Sequence, residues 1–292
     1  MKTIISAPAK INLTLDILDK RTDNYHNVKM IMQSVNLCDI VTLTENDSGK
    51  ITVDCTDSRI PADGSNIVVK AAKAFYAKID EVCRGLHISI EKNIPVEAGL
   101  AGGSADGAAV LVGLNMLFGC PYEESVLLEI GSAVGADVPF CICGGTALAE
   151  RTGTKLTKLD DLARCFILIV KPPVGVSTAL AYKQADERTF IPECSTDRLL
   201  PLPIDITEVA GKLHNDFESV VSVDCIDKIK QSMLDGGALG ACMSGSGPSV
   251  YGIFDDALKA ASCADILKTD YAEVFLTEPL KHGCKVICEN YE

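Results

Sequence analysis

The chain has 292 residues, 47% of them hydrophobic, and carries 27 Lys and Arg against 40 Asp and Glu, a formal net charge of −13. That is enough apolar material for one large domain or two ordinary ones. So acidic a chain is a poor partner for nucleic acid or an anionic membrane surface, both of which need clustered cations. No apolar run is long enough for a membrane span. The opening MKTIISAPAKINLTLD reaches polar residues too early for the apolar segment of a signal peptide, so a cytoplasmic protein is expected. The 13 cysteines are odd in number, form no Cys-x-x-Cys pair and lie apart from the four scattered histidines. They are expected to be small buried hydrophobes in a reducing compartment.

In chain order, KINLTLDIL alternates Ile11, Leu13, Leu15 and Ile17 with Asn12, Thr14 and Asp16, the pattern of a strand with one polar face. VKMIMQSVNL, DIVTLTE and KITVDC continue as short strands, with a turn at NDSG. SNIVVKAAKAFYAKI predicts a helix capped by Ser65 or Asn66, its stripe made by Ile67, Val68, Ala71, Ala72, Phe75 and Ile79. LHISIEK (86–92) is a strand that runs into a glycine-rich loop, and helices are expected at about 104–118 and over YEESVLLEIGSAV. The second half offers a buried strand at FILIV, helical patterns at STALAYKQA, IDKIKQSML and ALKAASCADILK, and short strands at AEVFLT and KVIC. RLLPLPIDI (198–206) reads as a loop. The charged KLTKLDDLAR near 155–165 marks the expected division into units 1–158 and 159–292.

The glycine-rich loop, PVEAGLAGGSADGAA (95–109), carries most of the chemistry. A P-loop would place lysine at position 108, which is Ala108, and a dinucleotide fingerprint needs two glycines two apart, which this stretch lacks. Yet a strand, a glycine turn and a helix start together present free backbone amides and the positive end of a helix dipole. Glycine also allows close backbone approach. A phosphate can therefore be cradled without a P-loop lysine; the competing reading is a tight turn packed by small residues.

Three further stretches bear on this. SAPAKINLTLD carries Lys10 and Asn12, GADVPFCICGG places Asp137 in a turn, and ACMSGSGPSVYGIF is a second Gly/Ser loop between apolar strands. A lysine and an aspartate suit phosphoryl transfer to an alcohol. The carboxylate takes the hydroxyl proton, and the ammonium offsets charge on the phosphoryl oxygens. Taken singly, each favours a plain structural reading, Lys10 as an exposed strand lysine and Asp137 as a turn former.

In order, PAKINL, PVEAGLAGGSADGAA and MSGSGPSVYGIF resemble the GHMP small-molecule kinases. KRTDNYHNVKMIMQSVNLCD, GADVPF and VSTALAY are similar to the branch of that family that phosphorylates a cytidine diphosphate ester of a branched polyol in non-mevalonate isoprenoid synthesis. The resemblance runs from Ala7 to about Phe254. It implies a two-domain α+β fold with the active site in the inter-domain cleft, ATP with Mg²⁺ as phosphoryl donor, and small-molecule partners only. It further implies Lys10 and Asp137 as the catalytic pair, with Asp137 the base. For ATP it implies the loop Pro95, Val96, Glu97, Ala98, Gly99, Leu100, Ala101, Gly102, Gly103, Ser104 and Ala105, with Asn66 and Lys92 near the adenine. For the acceptor it implies Asn12, Tyr25, His26, Tyr182 and Gly245, with Tyr25 and Tyr182 stacking the cytosine and His26 reading its edge. Metal ligands and oligomeric state are not implied.

The chain departs from the family's pattern at Ala105 and Gly107, where a second serine and an alanine are usual. Asn24 stands for a glycine, and Met32 for an aromatic of some relatives. A homoserine- or mevalonate-type kinase, an ATP-using decarboxylase and a non-catalytic ligand-binding relative remain open readings.

Overall fold

The structure, a computed structural model, describes residues 1–187 and 194–290. The chain order is β1 (Lys2–Lys20), β2 (His26–Glu45), β3 (Ile51–Cys55), α1 (Ile67–Ile79), β4 (Leu86–Glu91), α2 (Gly102–Leu117), α3 (Glu124–Val134), α4 (Val138–Cys143), β5 (Thr146–Arg151) and β6 (Lys155–Lys158). Then come β7 (Phe166–Lys171), α5 (Thr178–Ala185), α6 (Ile206–Ala210), β8 (His214–Asn215), α7 (Cys225–Asp235), β9 (Gly240–Met243), β10 (Val250–Phe254), α8 (Ala257–Leu267), β11 (Glu273–Thr277) and β12 (Lys285–Asn290). One sheet runs β12-β1-β2-β4-β3, with β5, β6 and β8 attached; α2 and α4 pack on β1, with α1 and α3 beside them. The second sheet runs β11-β7-β10-β9 under α7 and α8. This is the expected α+β architecture.

Three findings differ from the sequence expectation. The short strands expected over 28–45 are one 20-residue strand, β2, paired antiparallel with nearly all of β1. β1 is buried on both faces from Ala7 to Ile17, not on one. Its polar row Lys10, Asn12, Thr14 and Asp16 is covered by the second half of the chain: Tyr251 Oη donates to Asn12 O at 2.7 Å, and Thr196 Oγ1 donates to Thr14 Oγ1 at 2.7 Å. Finally β12, read from sequence as part of the second unit, pairs antiparallel with the start of β1. One hydrophobic core likewise spans both halves, joining Leu15, Ile17 and Met30 to Phe217, Ile229 and Phe254. The cleft floor therefore rests on packing shared by both halves.

Candidate active site

Between the sheets lies a cleft of about 330 Å³. Lys10, Asn12, Lys92, the loop from Pro95 to Gly103, and Asp137 line one side; Thr178, Tyr182, Phe217, Gly245 and Ser246 line the other. The loop enters α2 through Ala101, which is left-handed (φ +58) and makes no side-chain cap. Ala105 N is the first amide to close a helical bond, to Ala101 O at 2.9 Å. The amides of Gly102, Gly103 and Ser104 precede any intrahelical acceptor, so the helix start presents donors and its positive dipole end at the cleft.

The glycines are not equivalent. Gly99 has φ +74, and a Cβ there would sit 2.1 Å from Ser244 O, whereas a Cβ on Gly103 would meet nothing nearer than Ile67 Cγ2 at 3.8 Å. Gly102 and Gly103 are outside the left-handed region, so the positive-φ requirement falls on Glu97, Gly99 and Ala101. Gly99 is there because the second Gly/Ser loop crosses it: Ser244 Oγ donates to Gly99 O at 3.0 Å and Ser249 N to Ala98 O at 3.3 Å. Gly245 (φ +56) donates its N–H to Asn12 Oδ1 at 3.0 Å, and Asn215 Nδ2 holds Gly245 O at 2.8 Å. The two loops thus brace each other across the cleft.

Lys10 lies on β1, with its Nζ 2.6 Å from Asn12 Oδ1. Asp137 sits at the N-terminus of α4 without capping it. Burial pushes the Lys10 ammonium below the ordinary lysine range; nearby Asp137, then Cys141, work in the opposite direction. Asn12 is engaged by the protein: Oδ1 accepts from Lys10 and Gly245, and Nδ2 donates to Met30 Sδ at 3.2 Å. An ammonium held by a neutral amide, with a carboxylate within Coulombic reach, can steady developing phosphoryl charge while the carboxylate takes a proton.

Several expected site residues are placed elsewhere. Asn66 lies outside the cleft lining: Oδ1 caps α1 by accepting from Val68 N at 3.0 Å, and Nδ2 donates to Pro61 O. Ser104 and Ala105 are also outside it; Ala105 is core, and its carbonyl accepts from Cys284 Sγ. Lys92 reaches the cleft, but its Nζ is paired with Asp39 and, at 2.8 Å, with Asp106. Tyr25 is 65% exposed, and neither Tyr25 nor His26 is on the cleft lining, which Tyr182 reaches. His26 is buried, with its ring stacked on Tyr182 at 4.7 Å and 16°, a spacing that leaves no room for a third ring between them. Tyr182 meets Phe217 edge to face at 4.9 Å.

Asn24 does adopt the left-handed turn (φ +65) its family counterpart glycine would, and Met32 is a fully buried core residue. Sequence reading missed Phe217, Met30, Leu15 and Ile60 as lining residues. It also missed the hydroxyl pair Thr178 Oγ1···Ser246 Oγ (2.9 Å), although both lie in stretches it singled out. Among the described residues one His/carboxylate group is tight enough for a metal, Asp16, His214 and Asp216. It lies off the cleft lining and is engaged by the amides of Ile17, Ser195 and Thr196.

Fold and site together define a small-molecule kinase. The GHMP kinases N terminal domain matches residues 66–145 and the GHMP kinases C terminal domain residues 205–273, and the chain belongs to this family of ATP-dependent enzymes. Within it the similarity is to 4-diphosphocytidyl-2-C-methyl-D-erythritol kinases. The one from Clostridium botulinum (strain Eklund 17B / Type B) is 45% identical over 280 residues, 94% of this chain and 99% of that protein. The one from Caldicellulosiruptor saccharolyticus is 44% identical over 278 residues, 94% of this chain and 96% of that protein. A crystal structure of a 4-(cytidine 5'-diphospho)-2C-methyl-D-erythritol kinase superposes with a TM-score of 0.75 at 26% identity, covering 96% of this chain and 99% of that one. A homoserine kinase from Cytophaga hutchinsonii reaches 0.80 at 21% identity over 98% and 97%, which is a likeness of fold. No helix among the described residues is long and apolar enough to cross a membrane.

Proposed function

We propose that this protein, in the cytoplasm, transfers the γ-phosphoryl group of ATP to the 2-hydroxyl of 4-diphosphocytidyl-2-C-methyl-D-erythritol, a step of non-mevalonate isoprenoid synthesis. The observation that carries the reading is the meeting, in one cleft, of Lys10, Asp137 and the uncapped start of α2. Asp137 takes the proton from the acceptor hydroxyl as its oxygen bonds to the γ-phosphorus. The bond from phosphorus to the β,γ-bridging oxygen breaks, and ADP departs with that electron pair. The Lys10 ammonium and the amides of Gly102 and Gly103 meet the charge on the transferring oxygens. Asn12 and Gly245 hold Lys10 in place. The base of the acceptor lies beside the His26–Tyr182 stack, not inside it, with the His26 edge turned to its exocyclic amine. With Asp137 kept as the base, the cleft still offers the Glu97 carboxylate and the Thr178 and Ser246 hydroxyls, hard oxygens of the kind that would hold Mg²⁺. Bound there with ATP, Mg²⁺ would offset the negative charge of the outer phosphates.

The test compares kcat/KM for the cytidine and uridine esters, with mevalonate and homoserine as controls, in wild type and Asp137→Asn. The expected result is selective turnover of the cytidine ester, and a fall of about 10²–10⁴-fold in kcat for Asp137→Asn with ATP binding kept. Turnover of homoserine or mevalonate alone would move the protein to another branch of the family. Near wild-type kcat in the variant would remove Asp137 from the mechanism.

A further inference from the structure

Where β1 ends, β2 begins and α5 ends, three side chains meet that the phosphoryl-transfer chemistry does not use. Asp186 closes the C-terminus of α5. Its Oδ1 is 2.7 Å from His26 Nε2, and its Oδ2 is paired with Lys20 Nζ. Hydrogen bonds from Lys20 first and His26 second hold the Asp186 carboxyl below the usual carboxylate range. An ionised carboxylate only accepts, so the His26 nitrogen facing it must carry a proton. In the neutral imidazole the other nitrogen then has a lone pair and no hydrogen. That nitrogen, Nδ1, is not part of the Asp186 bond. Turning the ring by 180° in its own plane would keep the stack on Tyr182, a cleft-lining residue, but would put a carbon in place of Nε2 and give up the Asp186 bond.

We infer that Asp186 is a positioning residue for base choice: by taking the proton of His26 Nε2 it leaves His26 Nδ1 as an acceptor for the exocyclic amine of cytosine. The inference rests on the proposed acceptor. Uracil carries a carbonyl oxygen where cytosine carries that amine, so two lone pairs would face each other and the uridine ester is refused. A site built around one hydrogen bond rejects the analogue that cannot make it far more strongly than a merely shaped pocket does. Lys20 supplies the counter-charge of the carboxylate. The three residues come from both halves of the molecule, and only the fold brings them together.

The experiment measures KM and kcat for the cytidine and uridine esters in wild type, Asp186→Ala and Asp186→Asn, with ¹⁵N shifts of the His26 ring nitrogens recorded on the same proteins. Wild type is expected to show a protonated Nε2 and a bare Nδ1. In Asp186→Ala the two tautomers mix, KM for the cytidine ester rises by about 10-fold or more, and the cytidine/uridine ratio of kcat/KM falls by at least as much. The rise in KM exceeds any change in kcat, and KM for ATP is kept, which also reports a folded enzyme. Asp186→Asn, whose side-chain oxygen still accepts from Nε2, retains part of the ratio. An unchanged ratio in Asp186→Ala, or a His26 ring still protonated at Nε2 there, overturns the inference while leaving the proposed acceptor standing. A wild type that does not prefer the cytidine ester overturns the acceptor reading itself.

Discussion

Two lysine ammonium groups are buried against the same cleft, and their surroundings are opposite. Lys92, at the end of β4, has a side chain only 3% exposed and is matched to two carboxylates. Asp39 also accepts the amides of Asn93 (2.6 Å) and Ile94 (2.8 Å), while Asp106 Oδ1 has no partner among the described residues. Burial pushes the Asp106 carboxyl well above the usual carboxylate range, against the pull of the Lys92 ammonium. Burial also works against the Lys92 charge, but Asp106 and Asp39 outweigh it, and the net shift is upward. Lys10, 4% exposed, has one neutral amide as its hydrogen-bond partner, and its shift is downward. A matched lysine fastens β4 and α2 to the strand that supports them. An unmatched one retains unused attraction for a ligand's negative charge, which is the state a phosphoryl-transfer site requires.

Substituting each lysine by methionine is the sharpest way to break this contrast. Lys10→Met should lower kcat by about 10²–10³-fold, the scale of losing one preorganised donor to developing charge. Its urea midpoint should hold or rise, because a desolvated ammonium has been removed. Lys92→Met should instead leave a buried carboxylate without its counter-charge and cost about 3–5 kcal/mol in urea unfolding. If Lys10→Met unfolds and Lys92→Met merely slows turnover, the two roles are exchanged.

A smaller effect lies in pH. Because folding lowers the Lys10 pKa, its charged form is destabilised by folding at every pH below that value, and the penalty fades as pH rises through it toward the ordinary lysine range. Activity that needs the ammonium should therefore show an alkaline limb in kcat/KM, which reports the free enzyme, below the ordinary lysine range. Lys10→Arg, which keeps its charge, should lose that limb even if slower throughout; a limb that persists would assign it to another group.

The smallest effects separate the glycines of the glycine-rich loop. Gly99→Ala puts a Cβ 2.1 Å from Ser244 O at φ +74 and should lower the melting temperature by several degrees. Gly103→Ala finds room and ordinary backbone, so stability should hold while KM for ATP rises. Equal KM for ATP in Gly103→Ala and wild type would mean that no phosphate approaches the backbone there.

Much of the site was legible because its signals are local. The run from β4 through 95–105 into α2 announces itself by alternation, then small residues, then an apolar stretch. Lys10 and Asp137 stand in short motifs whose residue types match the chemistry. α1 is likewise bounded by its own sequence, with Asn66 supplying the cap that one of its two candidates promised. The same cap explains why Asn66 lies off the cleft: a side chain already bonded at both ends to its own helix turn has little left for a ligand.

What the sequence by itself determined is therefore the α+β class, many of the strands and helices, and the short stretches that carry Lys10, the glycine-rich loop and Asp137, since each stretch is read from neighbouring residues. The tertiary structure alone decided which polar groups are matched. Lys92 finds Asp39 from 53 positions away, Asp186 reaches His26 across 160, and Asn12 receives Gly245 across 233. It also decided that the polar face of β1 is interior, that β12 returns to the first sheet, and that Tyr25 stays in solvent while Phe217 lines the cleft. The physical reason is common to all of these. Burial and ion pairing are set by whatever long-range partner the fold delivers, and an unmatched charge looks the same in sequence as a matched one.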